Sequence, residues 1–304
     1  VLVVESIDDA TRVSTEERMG IERVGVIGCG LMGSGIAEVC ARAGLDVTVR
    51  EVNAEAAEAG RQRLVTSLDR GLAAGKLTES ARDEALGRLS FTTAIDDLAD
   101  RQIVIEAVVE DEGMKVDIFK ELDRVLVDDS AILASNTSSI PIMKLGTVTA
   151  RPEQVIGVHF FNPVPVLRLV EIVTSLMTGP DTIARAEEFA TGALDKRVIR
   201  SQDRAGFVVN ALLIPYLLSA IRMMESGFAS RDDIDIGMVE GCSHPMGPLR
   251  LTDLIGLDTT LAVAESLYEE FKEPLYAPPP LLSRMVDAGL LGRKAGRGFY
   301  EYRR

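Results

Sequence analysis

Two histidines occur in the 304 residues. One of them, His159, ends an apolar run, Val155-Ile-Gly-Val, and a carboxylate, Glu171, follows twelve residues on inside a second run, Leu167-Arg-Leu-Val-Glu-Ile-Val173. Imidazole is the side chain whose ordinary pKa suits proton exchange near neutral pH. A glutamate among aliphatic residues needs a partner, because an unpaired buried charge is costly. If the two runs pair as a hairpin, Glu171 reaches His159, orients the ring and stabilises the imidazolium formed when it takes a proton. Spacing alone leaves a second reading open, a satisfied loop histidine beside a structural ion pair. His244, in Cys242-Ser-His-Pro-Met-Gly-Pro248, reads as a residue that shapes a loop.

Other polar groups fall at the ends of apolar segments. Ser135-Asn136-Thr137-Ser138-Ser139 closes a buried strand with hydroxyl and amide groups able to bond cofactor and substrate, or simply to cap the short helix near Ile142. Asn210 places an amide in the first turns of an apolar helix, where its partner is substrate or backbone. Upstream, Val24-Gly-Val-Ile-Gly28-Cys29-Gly30-Leu31-Met32-Gly33-Ser-Gly-Ile36 runs a strand through a glycine loop into a helix. Gly28 permits the tight turn, Gly30 lets a pyrophosphate approach the backbone, and Gly33 lets the helix sit close on the strand. The next strand delivers Glu51, about 20 residues beyond the loop, where a ribose hydroxyl is normally held.

The elements that must position these groups alternate. Strands are predicted over 23–27, 47–50, 103–109, 131–134, 155–160, 167–173 and 198–200, with an Ala/Glu/Arg/Leu-rich insertion over 53–89 that reads as a pair of helices. After Gln202 the pattern is helical only: 207–226, 231–240, 249–254, 258–271 and 281–288. The expected fold class is therefore α/β, a Rossmann-type doubly wound sheet with a helical-pair insertion, followed by an all-α C-terminal domain. The expected division is a flexible N-terminal extension over 1–20, an NAD-binding domain over 21–201 and a helical substrate and dimerisation domain over 202–304.

Composition narrows the partners. A formal charge of -14 argues against nucleic acid or an anionic membrane as the main partner. Cys29, Cys40 and Cys242 lack metal-site spacing and form no disulfide framework, so no metal is expected and a reducing cytoplasm fits best. No signal peptide is visible, and the longest apolar stretch, 207–224, is interrupted by Asn210, Pro215 and Arg222. That stretch has more apolar surface than a small helical domain covers, which predicts a homodimer through the second domain.

Taken together, the motifs resemble the L-3-hydroxyacyl-CoA dehydrogenases, and most of all their short-chain 3-hydroxybutyryl-CoA branch. The likeness runs from Glu22 to Tyr302. It is carried by the glycine loop, Ile105-Glu-Ala-Val-Val-Glu110, Ser135-Asn-Thr-Ser-Ser139, His159-Phe-Phe-Asn-Pro-Val-Pro165, Gly206-Phe-Val-Val-Asn210, Pro245-Met-Gly-Pro248, Gly256-Leu-Asp258 and Gly298-Phe-Tyr300. The resemblance implies His159 as catalytic base, Glu171 as its partner, and Ser138 and Asn210 near the reacting oxygen. For the cofactor, NAD, it implies the loop residues Gly28 to Gly33, Glu51, Glu110, Lys115, Asn136, Ser138, Asn162 and Lys294. For coenzyme A it implies the helical insertion, where Ser67 and the cations Arg61, Arg63, Arg70 and Lys76 offer a local positive field or a solvated helix face. The substrate implied is acetoacetyl-CoA or 3-hydroxybutyryl-CoA. Alternatives are a same-fold dehydrogenase of a free sugar acid (gulonate-type) and a catalytically silent nucleotide-binding protein. Three departures stand out. Glu51 replaces the usual Asp and follows Arg50, which keeps NADP possible beside NAD; Ala205 replaces a proline before Gly206; and the lysine-rich coenzyme A contacts are only partly matched.

Overall fold

The structure, a computed structural model, describes residues 20–302. The expected N-terminal extension lies, save for Gly20, outside the described residues. The chain opens with β1 (Arg23–Ile27), α1 (Leu31–Arg42) and β2 (Asp46–Arg50). The inserted pair α2 (Ala54–Ala73) and α3 (Glu79–Gly87) follows, then β3 (Leu89–Thr92). Asn53 and Thr78 cap the two inserted helices by accepting the Ala56 and Ala81 amides, as short polar side chains do at an N-terminus. Next come β4 (Ile103–Glu106), α4 (Glu112–Val125), β5 (Ile132–Ser135), α5 (Ile142–Gly146), β6 (Val155–Phe160), β7 (Leu169–Thr174), α6 (Pro180–Glu188) and β8 (Arg197–Gln202). The helical remainder is α7 (Val209–Glu225), α8 (Arg231–Cys242), α9 (Pro248–Ile255), α10 (Leu257–Phe271) and α11 (Pro280–Asp287).

One eight-stranded sheet runs in the order β3-β2-β1-β4-β5-β6-β7-β8, parallel throughout except where β7 turns antiparallel to β6. Strand order reverses between β1 and β4, and in open α/β sheets ligands bind in the crevice at that reversal. Both faces are covered. Val24, Val26, Ile105 and Val158 pack with α1 and α2 through Ile36, Cys40 and Leu64, while Ile27, Val104 and Leu133 pack with α4 and α5 through Phe119, Leu122 and Ile142. Side chains alternate along a strand, so neighbours of Val158, Phe160, Val170 and Ile172 face the α4/α5 side. His159 and Glu171 are those neighbours. A separate apolar core, including Leu218, Leu249, Leu257 and Leu267, holds the helical part together.

β2, β5 and β8 differ from their expected spans by one or two residues at their ends, and β3, β4 and β7 depart further for local reasons. β3 was not anticipated, since Leu89-Ser-Phe-Thr is a short, partly exposed edge segment. β4 stops at Glu106 because its own carboxylate accepts the Val108 amide at 2.7 Å and turns the chain. β7 begins at Leu169 because the buried Lys196 ammonium donates to the Val164 and Leu167 carbonyls, at 2.6 and 2.7 Å, and holds that segment as a loop. None of the described helices is long and apolar enough to cross a membrane. α7 buries Ile214, Leu217, Leu218 and Ile221 within the chain.

Candidate active site

His159 and Glu171 are direct cross-strand partners in the β6/β7 register. Opposed residues of an antiparallel pair project from the same face, so the carboxylate meets the ring without any loop to steer it. Nδ1 of His159 lies 2.7 Å from Glu171 Oε2, and both residues are buried. On the other side of the ring, Nε2 lies 3.0 Å from the Ser138 hydroxyl. The other oxygen of Glu171 accepts the Val208 and Val209 amides at 3.1 and 2.9 Å. These amides open α7, and Asn210 is its second residue. The carboxylate thereby binds the helical part to the sheet where the imidazole sits. Among the described residues the Asn210 side chain has no hydrogen-bond partner.

Aromatic rings close the flanks. Phe161 and Phe207 lie 4.6 and 5.5 Å from the His159 ring, centre to centre. Phe207 reaches it from left-handed backbone (φ 49°), directly after Gly206 at φ 75°, a conformation costly for a bulky residue and held here by the surrounding packing.

The Ser138 loop is gripped from below. Glu110 Oε1 accepts from the Thr137 hydroxyl, the Ser138 and Ser139 amides at 2.9 and 3.1 Å, and the Ser139 hydroxyl at 2.9 Å. Burial pushes the Glu110 carboxyl up, but the Lys115 ammonium and the bonds from Thr137, Lys115 and Ser139 outweigh it and hold it below the ordinary glutamate range. Lys115 is 1 % exposed, its ammonium 2.9 Å from Glu110 and 3.0 Å from Glu106. Asn136 uses Oδ1 to accept the Phe160 amide at 2.8 Å and so braces the residue after His159. Asn162 is exposed on the loop that follows.

The glycine loop fits a dinucleotide on its own geometry. Gly28 has φ 86°, and a Cβ on Gly33 would lie 1.8 Å from the Gly28 carbonyl oxygen, so neither position tolerates a side chain. A Cβ on Gly30 would meet nothing within 4 Å, which leaves open space above the N-terminus of α1, where phosphates are held. Glu51 accepts the Cys29 amide and, at 3.0 Å, the Val52 amide, which fixes the acid beside that space. Cys29 itself is buried and its thiol is pushed up to about 12 by burial and by Glu51, so it packs rather than reacts. Two buried polar side-chain atoms lack a hydrogen-bond partner among the described residues, Arg50 Nε and Asp258 Oδ1. Arg50 precedes Glu51 in sequence, and Asp258 Oδ2 is paired at 2.6 Å with Lys294. Both orphans therefore adjoin residues expected to touch the cofactor.

The inserted helix pair meets the glycine loop at one end. Gly60 abuts Cys29, and Arg63 donates to the Cys29 carbonyl at 3.0 Å. Ser67 and Arg70 continue the Arg63 face at helical spacing. Arg61 turns elsewhere, stacking on the Phe91 ring at 4.4 Å, and Lys76 is exposed in the turn beyond α2. His244 is bonded to the Tyr216 hydroxyl at 3.1 Å in the loop after α8. Sequence reasoning gave no role to Glu106, Phe207 or the Val208 and Val209 amides. The signal for Glu106 was present, since a single carboxylate ending the apolar strand Ile103-Val-Ile-Glu needs a partner as Glu171 does.

The family model for the 3-hydroxyacyl-CoA dehydrogenase NAD binding domain matches residues 23–204, and that for the C-terminal domain of the same family matches residues 206–302. A 3-hydroxybutyryl-CoA dehydrogenase of Mycobacterium tuberculosis is 64% identical over 282 residues, covering 93% of this chain and 99% of that protein. The crystal structure of M. tuberculosis FadB2 superposes with a TM-score of 0.93 at 63% identity, covering 94% of this chain and 100% of that one. The (S)-3-hydroxybutyryl-CoA dehydrogenase PaaH1 of Ralstonia eutropha superposes with a TM-score of 0.88 at 47% identity, with 94% and 100% coverage. With both domain models matched in order across one sheet and one helical unit, the chain belongs to the 3-hydroxyacyl-CoA dehydrogenase family and carries its NAD-binding domain.

Proposed function

We propose that this chain transfers hydride reversibly between C3 of a short-chain 3-hydroxyacyl-CoA and NAD, turning over 3-hydroxybutyryl-CoA and acetoacetyl-CoA, with His159 and Glu171 handling the proton. The observation that carries this reading is the line of contacts Glu171, His159, Ser138, at 2.7 and 3.0 Å, beside the strand ends that form the ligand crevice. Bound NAD supplies the two-electron chemistry at C3. Glu171 accepts a hydrogen bond from Nδ1–H, which fixes the tautomer that presents the Nε2 lone pair to the Ser138 hydroxyl; the C3 hydroxyl of the substrate takes over that contact and gives its proton to Nε2. In the opposite direction the imidazolium returns that proton to the ketone oxygen. Ser138, once its hydroxyl turns from Nε2, and Asn210, with its amide free, hold the same oxygen. Phe161 and Phe207 keep water from the ring.

Glu51 favours NAD, because a carboxylate at the ribose repels a 2′-phosphate; the unpartnered Arg50 beside it leaves NADP as a weaker substitute. The Arg63, Ser67 and Arg70 face of α2 runs away from the glycine loop as the seat of the coenzyme A phosphates. The cofactor unit is residues 21–201 and the substrate unit residues 202–304. Leu212, Phe228 and Ile236 stand 74, 81 and 59% exposed on that second unit, and they support a homodimer through it. Free Cys29, Cys40 and Cys242 suit the reducing cytoplasm.

The direct test is turnover of 3-ketoacyl-CoA esters of increasing chain length, each with NADH and with NADPH. The reading requires acetoacetyl-CoA with NADH among the best pairs. Turnover of gulonate but of no coenzyme A ester would overturn it. Sedimentation at micromolar concentration tests the dimer, and a monomer there would refute that part alone.

A further inference from the structure

Beneath the Ser138 loop lies a buried charge cluster whose strand member, Glu106, has no part in the chemistry above. Glu106 is fully buried and Lys115 almost so, and Glu106 is fixed to the sheet by the Val108 amide at 2.7 Å and by the Ser135 hydroxyl at 2.6 Å. Ser135 is its cross-strand partner on β5, and the Val108 amide belongs to the turn directly after β4. Lys115 then bridges Glu106 to Glu110 at 3.0 and 2.9 Å. Two carboxylates share one ammonium, so the cluster carries one negative charge in excess. Glu110 spends it on the amides and hydroxyls of residues 137 to 139, as a partly desolvated anion must.

From these contacts, and resting on the function proposed above, we infer that Glu106 is a positioning residue for the reaction: through Lys115 and Glu110 it ties the Ser138 loop to the sheet and so sets Ser138 against His159. The line runs Glu106, Lys115, Glu110, Ser138, His159, each step at 3.0 Å or less. A lysine side chain has many rotamers, and two carboxylates hold its ammonium here, of which Glu106 is the one fixed on the strand. Glu106→Gln keeps the shape and removes the charge. The ammonium then relaxes toward Glu110 alone, and the loop moves with it.

The test is a double-mutant cycle on kcat with Glu106→Gln, Ser138→Ala and the pair, alongside NADH binding by fluorescence and thermal melting. A reacting group displaced by about 1 Å can cost up to ~100-fold in rate, so a loss of kcat of roughly 10- to 100-fold at saturating NADH is expected for Glu106→Gln. The double variant is expected to be no slower than Ser138→Ala alone, because a residue acting through Ser138 has nothing left to position. Losses that multiply, or a Glu106→Gln enzyme with full kcat, would overturn the inference. If Glu106→Gln fails to fold, Ser135→Ala removes one anchor of Glu106 and must show the same non-additivity in smaller measure. A fully active Ser138→Ala would strike the proposed centre itself, and the inference with it, whereas an impaired Ser138→Ala with multiplying losses would strike the positioning role only.

Discussion

Glu171 holds His159 with one oxygen, at 2.7 Å, and the Val209 amide at the start of α7 with the other, at 2.9 Å. The carboxylate that orients the imidazole is also a bond between the sheet and the helical unit. Alignment of the base and seating of Asn210 are consequently one structural event.

Glu171→Ala should therefore fail twice. Hydrogen bonds to charged groups contribute about 1.5–3 kcal/mol each, so the variant is expected to melt well below wild type as well as to lose turnover. Glu171→Gln, which retains an acceptor for the α7 amides, is expected to keep most of the melting temperature while kcat still falls. Differential scanning calorimetry beside steady-state kinetics separates the two. Equal melting temperatures for Glu171→Ala and wild type would contradict the interdomain role.

The glycines of the loop make opposite demands. Gly33→Ala drives a methyl to within 1.8 Å of the Gly28 carbonyl oxygen and is expected to destabilise the fold. Gly30→Ala meets nothing within 4 Å, and a substitution without a clash changes stability by only about ±0.5 kcal/mol. Its methyl nonetheless occupies the phosphate approach, so NADH affinity is expected to fall by roughly tenfold or more, about 1.4 kcal/mol, at unchanged melting temperature. Unimpaired NADH binding by Gly30→Ala would move the cofactor elsewhere.

Glu110 gives the structure an acid-sensitive element. Its carboxyl titrates below the ordinary value of 4.5 in the folded chain, so its stabilisation is fully present above that value and is lost as pH falls through the lowered one. Glu110→Gln is expected to be less stable than wild type at neutral pH, with the gap constant down to about pH 4.5 and closing below it. Denaturant melts across that range check the sign. A gap that widened on acidification would contradict the assignment.

Much of this was legible in the sequence because strand parity and glycine sterics are local. Two apolar runs twelve residues apart allow a hairpin, and once the hairpin forms its register alone brings His159 to Glu171. The glycine loop needs only three residues without side chains at fixed spacing. Lys115 was harder, since nothing in Met114-Lys-Val says that its ammonium will sit between two carboxylates, one from β4 and one from the loop after it. The second role of Glu171 was invisible for a similar reason: backbone amides carry no sequence signal, and only the packing of α7 presents those of Val208 and Val209 to the carboxylate. β3 was missed because a four-residue, partly exposed edge strand carries no alternation to read and resembles a loop.

The central claim is that one imidazole, held by Glu171, exchanges the proton. Its most direct test is kcat of His159→Ala with acetoacetyl-CoA and NADH, measured with NADH binding by fluorescence. General acid/base catalysis contributes about 10²–10⁴-fold, so kcat should fall by that factor while NADH affinity stays at the wild-type level. A His159→Ala enzyme that keeps wild-type turnover would contradict the account.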